Sequence, residues 1–309
     1  MKDQTCWVLA GPTASGKTAL SLRLAVAYDC EIICMDSMQI YRGMDIGTAK
    51  PTAAERACAP HHMVDVADPQ DGFTVAQYQE MAEACVREIQ SRGHRALFVG
   101  GTGFYLRALR HPMAMGEVAG DNTLRDALQA VADAPGGHER LHAMLEQEDP
   151  VTAERLHPND VRRVIRALEV TRLTGVPFSG QAQPQQAPAF AYRVAALTME
   201  RGILYQRIEQ RVDQMLADGL LAEIQGLLDA GVPADCQAMK AIGYKELIPV
   251  LQGKQTLAEA TGLLKQNTRH YAKRQLTWMR REEDVCWVDS LQPDAFDKLS
   301  AWFDRGERI

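Results

Sequence analysis

Eight residues of the chain, Gly11, Pro12, Thr13, Ala14, Ser15, Gly16, Lys17 and Thr18, follow the spacing GxxxxGK[ST]. That spacing suits a phosphate chain. The two glycines let the backbone curl until several N–H groups point inward, and a helix starting near Gly16 adds its partial positive charge. Lys17 brings a full positive charge, and Thr13 and Ser15 bring hydroxyl donors. Thr18 has the hard oxygen that a Mg²⁺ bridging phosphate oxygens would take. Such a loop recognises phosphates without saying whether they are transferred, hydrolysed or expelled.

Other residues could complete a site. Asp36 ends an apolar run, where a carboxylate could bind Mg²⁺, take a proton from a substrate, or simply cap the next turn. Thr102 follows two glycines and suits either a ligand contact or a helix N-cap. Arg207 and Arg211 stand four apart, so one helical face can carry both, as cations of a site or as solvated charges. His61 and His62 could ligate a metal, although a satisfied structural role is the commoner fate of such histidines.

These positions need a frame. The runs CWVLA, EIICM and RALFVGGTG read as buried strands, with helical patterns at KTALSLRLAVAY and TVAQYQEMAEACVREIQSRG between them. Alternation of this kind predicts an α/β fold with a parallel sheet and ligands at the carboxyl ends of its strands. Residues 112–189 change character. They are helical and polar, close in a Pro/Gln-rich stretch, and read as an insertion between two halves of one core, 1–111 and 190–309. After a strand at YRVAALTM come helices at about 201–217, 219–230, 236–251 and 256–281, then the strand VCWVD and a last helix from Pro293.

Composition narrows the function classes. With 309 residues, 46% of them apolar, the chain can bury a sizeable core, and it has no apolar run of bilayer length. Seven dispersed cysteines, no CxxC pair and no export-signal layout point to reduced thiols in a cytoplasm. The net charge of −6 argues weakly against nucleic acid. Two stretches run the other way. Residues 265–281 hold six Lys or Arg and no acid, and residues 155–172 hold five Arg against two acids. Each could be a solvated helix face or an RNA contact. Tyr271 and Trp278, seven apart on an amphipathic helix, suit core packing better than base stacking.

GPTASGKT is followed in order by DSMQIYRGMDIGTAKP (36–51), PHHMVDVADP (60–69), VGGTGFYLRAL (99–109), HPNDVRRVIRALEV (157–170), RIEQRVDQML (207–216), AIGYKEL (241–247) and AKRQLTWMR (272–280). This series resembles the bacterial tRNA dimethylallyltransferases, from residue 8 to about residue 288. The resemblance implies a P-loop NTPase-like core with a helical insertion domain and C-terminal helices. It implies transfer of the dimethylallyl group of dimethylallyl diphosphate to N6 of adenosine 37, beside the tRNA anticodon, with release of diphosphate and no ATP consumed. It also implies Mg²⁺ as cofactor and a cytoplasmic enzyme, expected to be a monomer. By the same resemblance Asp36 is the base, Thr102 lines the channel where adenine and prenyl donor meet, and Lys17 and Arg211 stabilise the leaving diphosphate. The tRNA contacts it implies are Asp36, Ser37, Met38, Gln39 and Thr102, with Arg125, Arg162, Arg163, Val164, Ile165 and Arg166 in the insertion. Lys240, Ala241, Ile242, Gly243, Tyr244 and Lys245 follow, and then Lys273, Arg274, Gln275, Leu276, Thr277, Trp278, Met279 and Arg280. Asp45, His61 and His62 belong to the motifs without an assigned role. The competing readings are a P-loop small-molecule kinase, with Asp36 deprotonating a hydroxyl, and a non-catalytic RNA-binding protein.

Overall fold

The computed structural model describes residues 5–111, 120–181 and 187–305. The chain divides into two compact units, Met1–His111 with Pro188–Ile309, and Pro112–Ala187. The second boundary falls two residues before the expected one, and residues 182–186 of the Pro/Gln-rich stretch lie outside the described residues.

The first unit is built on a six-stranded, all-parallel sheet. The strands are β1 (Cys6–Ala10), β2 (Cys30–Met35), β3 (His61–His62), β4 (Arg95–Gly100), β5 (Tyr192–Thr198) and β6 (Val285–Asp289). Their order is β3-β2-β4-β1-β5-β6. Parallel strands covered on both faces read as continuous apolar runs, and β1 and β2 are buried along their whole length. Side chains alternate between two cores. Val8, Ile33, Phe98 and Val194 face one, and Trp7, Leu9, Leu97 and Leu197 face the other. The loops after β2, β4 and β1 leave three neighbouring strands at their carboxyl ends, and these loops carry Asp36, Thr102 and the phosphate loop.

Helices α1 (Lys17–Tyr28), α2 (Ala53–Cys58), α3 (Val75–Ser91) and α4 (Gly103–Arg110) belong to the first half of this unit. In the second unit lie α5 (Asn122–Asp133), α6 (Gly137–Glu148), α7 (Pro150–Ala153) and α8 (Val161–Thr174), around their own apolar centre of Leu128, Leu141, Leu145, Val164 and Leu168. The chain returns to the first unit with α9 (Arg201–Ala217), α10 (Leu220–Asp229), α11 (Tyr244–Leu251), α12 (Leu257–Met279) and α13 (Ala295–Ser300). The helix expected over 236–251 is shorter. Only α11 is α-helical there, after a single 3₁₀ turn at Ala238–Lys240. The interruption falls at Gly243, whose φ of 103° is outside the α region and easy only for glycine.

Candidate active site

The phosphate loop is shaped by three left-of-normal backbone conformations. Gly11 (φ 154°) leaves β1, Ala14 (φ 62°) turns the loop over, and Gly16 (φ 88°) starts α1. Lys17 Nζ donates to the carbonyls of Gly11 and Pro12 at 3.0 and 2.7 Å, which folds its charge into the loop. Burial, and secondarily Arg211, push its pKa down to about 8, against opposing pulls from Asp36 and Cys34. The Ser15 hydroxyl is buried and has no hydrogen-bond partner in the protein. A donor left over in this way inside a glycine loop suits an anion that would complete it. Arg211, on α9, donates to Thr13 Oγ1 at 3.2 Å, and burial lowers its pKa as well. Arg207, one turn earlier, approaches Gly16 but is exposed. The face shared by the two arginines is thus turned to the loop, and the solvated-charge alternative fits Arg207 only in part.

Asp36 is half-buried at the end of β2. Its Oδ1 accepts from Met38 N–H at 2.9 Å, so it does cap the turn that follows. Burial raises its pKa, while the Met38 and Gln39 N–H groups and the charges of Lys17 and Arg211 resist the rise. A carboxylate with a raised pKa beside two cations remains able to accept a proton. Thr102 occupies the N-cap position of α4, yet its side chain makes no capping bond. Its Oγ1 accepts from Ser37 N–H at 3.1 Å, tying the β4 end to the Asp36 turn. Gln275 links the remaining pair of strand ends. It accepts from Thr13 N–H at 2.9 Å and donates to the Gly101 carbonyl at 3.1 Å. A Cβ on Gly101 would stand 2.0 Å from this amide, which explains the second glycine of GGTG.

The segment Asp45–Gly47, downstream of Asp36, is anchored by a residue that the sequence reading missed. Glu223, on α10, accepts from the N–H groups of Asp45, Ile46 and Gly47 at 2.8, 2.7 and 3.1 Å, and from Tyr244 Oη at 2.6 Å. Nothing in its helical spacing separates it from an ordinary surface glutamate. Gln39 donates to the carbonyls of Thr48 and Ala49 and closes the same segment on itself. Asp45 gains a structural role here, since buried Lys50 donates to it and to Asp65, at 2.6 Å each. His61 and His62 sit near Ala59 O (2.8 Å) and Glu31 Oε2 (2.6 Å), so both rings are engaged by protein groups.

Several expected RNA contacts need correction. Val164, Ile165, Ala241, Tyr244 and Met279 are core residues, none more than 7% exposed, because each falls on the inward side of its helix or turn. Gln275 is 4% exposed and Leu276 packs against the α9 cluster, so neither faces outward. Gly243 is buried, and Ile242 packs against the core. Arg125 and Arg166 both pair with Glu169, whose carboxylate is fully buried. Tyr271, expected to be core packing, is half-buried on α12, and burial raises its pKa. Trp278 does pack, over Gly103 and edge-on to Phe104. Exposed cations are left at Arg162 and Arg163 in one unit and at Lys240, Lys245, Lys273, Arg274 and Arg280 in the other, with Thr277 exposed among the last three. Ser37 and Met38 are half-buried at the site.

A family model described as IPP transferase matches residues 39–282. The chain is 48% identical over 294 residues to the tRNA dimethylallyltransferase of Geobacter metallireducens, covering 94% of each chain. It is 47% identical over 287 residues to that of Bacillus subtilis, covering 93% and 91%. A crystal structure of the full-length tRNA isopentenylpyrophosphate transferase of Bacillus halodurans superposes with a TM-score of 0.72 at 43% identity, covering 98% and 96% of the two chains. A eukaryotic dimethylallyltransferase, from crystallographic snapshots of it acting on tRNA, gives 0.79 at 29% identity, with 97% of this chain and 77% of that one covered. The fold is therefore that of the P-loop NTPase-like tRNA IPP transferases.

Proposed function

The chain belongs to the IPP transferase family, and from that membership we propose how its residues divide the work of a prenyl transfer. It is an enzyme that transfers a dimethylallyl group to adenosine 37 of tRNA. The small-molecule kinase alternative is not favoured. The donor is dimethylallyl diphosphate, and the phosphate loop holds its diphosphate as the leaving group.

The observation that carries this division is the convergence of Asp36, Thr102 and the loop at three neighbouring strand ends, with Gln275 bridging the last two. The N6 amine of adenine is a poor nucleophile, because its lone pair is delocalised into the ring. Asp36 accepts a proton from N6 as the nitrogen bonds to the terminal carbon of the prenyl group. The carbon–oxygen bond to diphosphate breaks. The charge gathering on the leaving oxygen is met by Lys17, Arg211, the Thr13 and Ser15 hydroxyls and the loop N–H groups, with Lys17 and Arg211 already held against the loop. The Thr102 hydroxyl contacts the acceptor base.

Mg²⁺ fits this donor set. Thr18, in the first turn of α1 beside the phosphate loop, offers a hydroxyl, a hard oxygen. A Mg²⁺ there would take its remaining ligands from the substrate phosphates and water. When bound, it would neutralise diphosphate charge.

The target base lies in an RNA loop and must leave its stack to reach Asp36. Arg162, Arg163, Lys240, Lys245, Lys273, Arg274 and Arg280 supply the exposed charge that grips the RNA backbone. The enzyme works as a cytoplasmic monomer, and among the described residues no helix is long and apolar enough to cross a membrane. The test is incubation with unmodified tRNA, Mg²⁺ and either dimethylallyl diphosphate or ATP, followed by mass spectrometry of the nucleosides. One C5H8 unit gained on adenosine with the prenyl donor alone is expected. No gain, with ATP consumed, would refute the reading.

A further inference from the structure

The crest of the phosphate loop, Thr13 and Ala14, is held by two helices distant in sequence. The Thr13 N–H donates to Gln275 Oε1, on α12, at 2.9 Å, and its hydroxyl accepts from Arg211, on α9, at 3.2 Å. Ala14 packs on the apolar cluster where Leu204 and Ile208 of α9 meet Ala272 of α12. The ion pairs Asp213–Lys265 (2.6 Å) and Glu209–Arg269 (2.7 Å) join the same two helices. Ala14 needs such support. Its φ of 62° lies in the left-handed region. That region costs a residue with a side chain about fivefold or more in population, and glycine almost nothing.

Gln275 is the polar part of this support. It is 4% exposed, so its amide must find partners in the protein. Oε1 faces the Thr13 N–H, and Nε2 donates to the Gly101 carbonyl at 3.1 Å. Neither partner can exchange roles, so the amide has one orientation. The fit is close, since a Cβ on Gly101 would stand 2.0 Å from Nε2. The Thr13 N–H is therefore spent on Gln275 and is not among the donors left for an anion.

We propose that Gln275 is a positioning residue for the prenyl donor: it holds Thr13, and through it the left-handed turn at Ala14, in the conformation that receives diphosphate. Arg211 shares the task by gripping the same threonine from α9. The glycines permit the shape of the loop, and α9 and α12 select it. The inference rests on the reading of the loop as the holder of diphosphate.

The test uses the full chain and inorganic diphosphate with excess Mg²⁺, titrated by calorimetry. Gln275→Met keeps the volume and removes both bonds, each worth about fivefold in the population of the held crest. Diphosphate affinity is expected to fall by about five- to tenfold, because only that population binds. The kcat/KM for the prenyl donor should fall alike, with RNA affinity within about threefold of wild type, since α12 itself stays in place. The decisive comparison is the same substitution in an Ala14→Gly background. There the turn no longer opposes the side chain, so Gln275→Met should cost less than about threefold. A second measurement needs no variant. In the wild type without ligand, the Thr13 amide should already be protected from hydrogen exchange, and diphosphate should leave that protection unchanged. Undiminished affinity in Gln275→Met, an equal cost in both backgrounds, or a Thr13 amide protected only by diphosphate would overturn the proposal. A wild type that binds no diphosphate, with its Thr13 amide protected, would instead overturn the functional reading beneath it.

Discussion

Anion binding in the phosphate loop should be coupled to a proton. Burial and the neighbouring Arg211 hold the Lys17 pKa at about 8. A diphosphate in the loop supplies the negative charge that burial withholds, returning the group toward the ordinary lysine value of about 10.4. Between those two values, binding takes up a proton. With the free value at about 8, about nine-tenths of the lysines are neutral at about pH 9, so binding there takes up ~0.9 proton. Affinity falls about tenfold from about pH 7 to about pH 9, or about 1.4 kcal/mol. Calorimetric titration of inorganic diphosphate with excess Mg²⁺, in two buffers of different ionisation enthalpy, reads the proton directly. Diphosphate titrates too, so Lys17→Arg is the baseline, because a guanidinium keeps its charge throughout. The difference between the two proteins is the lysine's share. Equal proton uptake by the two would refute the argument. A second consequence has the opposite sign from a salt-bridged lysine. The unfolded chain holds this proton more tightly than the folded one, so without anion the fold gains stability as pH rises from about 8 toward about 10.4.

Asp36→Asn should lower kcat by about 10²–10⁴-fold, the worth of a general base, with RNA affinity within about threefold by filter binding; an equal loss of affinity would mean that Asp36 chiefly binds. Because burial raises the Asp36 pKa, the acid limb of the wild-type kcat/KM profile should have its midpoint above the usual aspartate value of about 3.9. A midpoint below that value would contradict the base assignment. Arg163→Ala and Lys273→Ala should each weaken RNA binding and reduce the slope of log K against log salt by roughly 0.7–0.9, and slopes unchanged in both would remove these exposed cations from the interface. Gly47→Ala should destabilise the chain by about 1–3 kcal/mol in urea unfolding, since its Cβ would stand 2.5 Å from a fully buried Tyr244 ring. A variant as stable as wild type would show that the segment held by Glu223 can shift freely.

Five of the six strands were legible because covered parallel strands leave apolar runs such as CWVLA, whereas β3 is two histidines at the sheet edge and leaves no such signal. The phosphate loop was legible for a related reason. Its function is written in backbone conformation, and positive φ selects glycine at positions such as Gly11 and Gly16. Asp36 and Thr102 were placed by the rule that ligands meet strand ends, but their hydrogen bonds were not. Whether Thr102 caps α4 or reaches Ser37 turns on a choice between two nearby N–H groups, and no spacing encodes it. Glu223 was invisible because its partners are backbone N–H groups, which every residue but proline has and which leave no residue-type signature.

The reading of α12 failed in a more instructive way. Residues 273–280 were read as one contact surface, but a helix divides any run of eight residues between faces. Lys273, Arg274, Thr277 and Arg280 point outward, whereas Gln275, Leu276 and Met279 point in. Charge marks the outward positions, but no residue type marks Gln275 as an inward one. A buried glutamine is costly unless every hydrogen bond is met. Gln275 meets that condition only with Thr13 and Gly101 in place, so its presence on an inward face already implied two backbone segments needing a polar bridge.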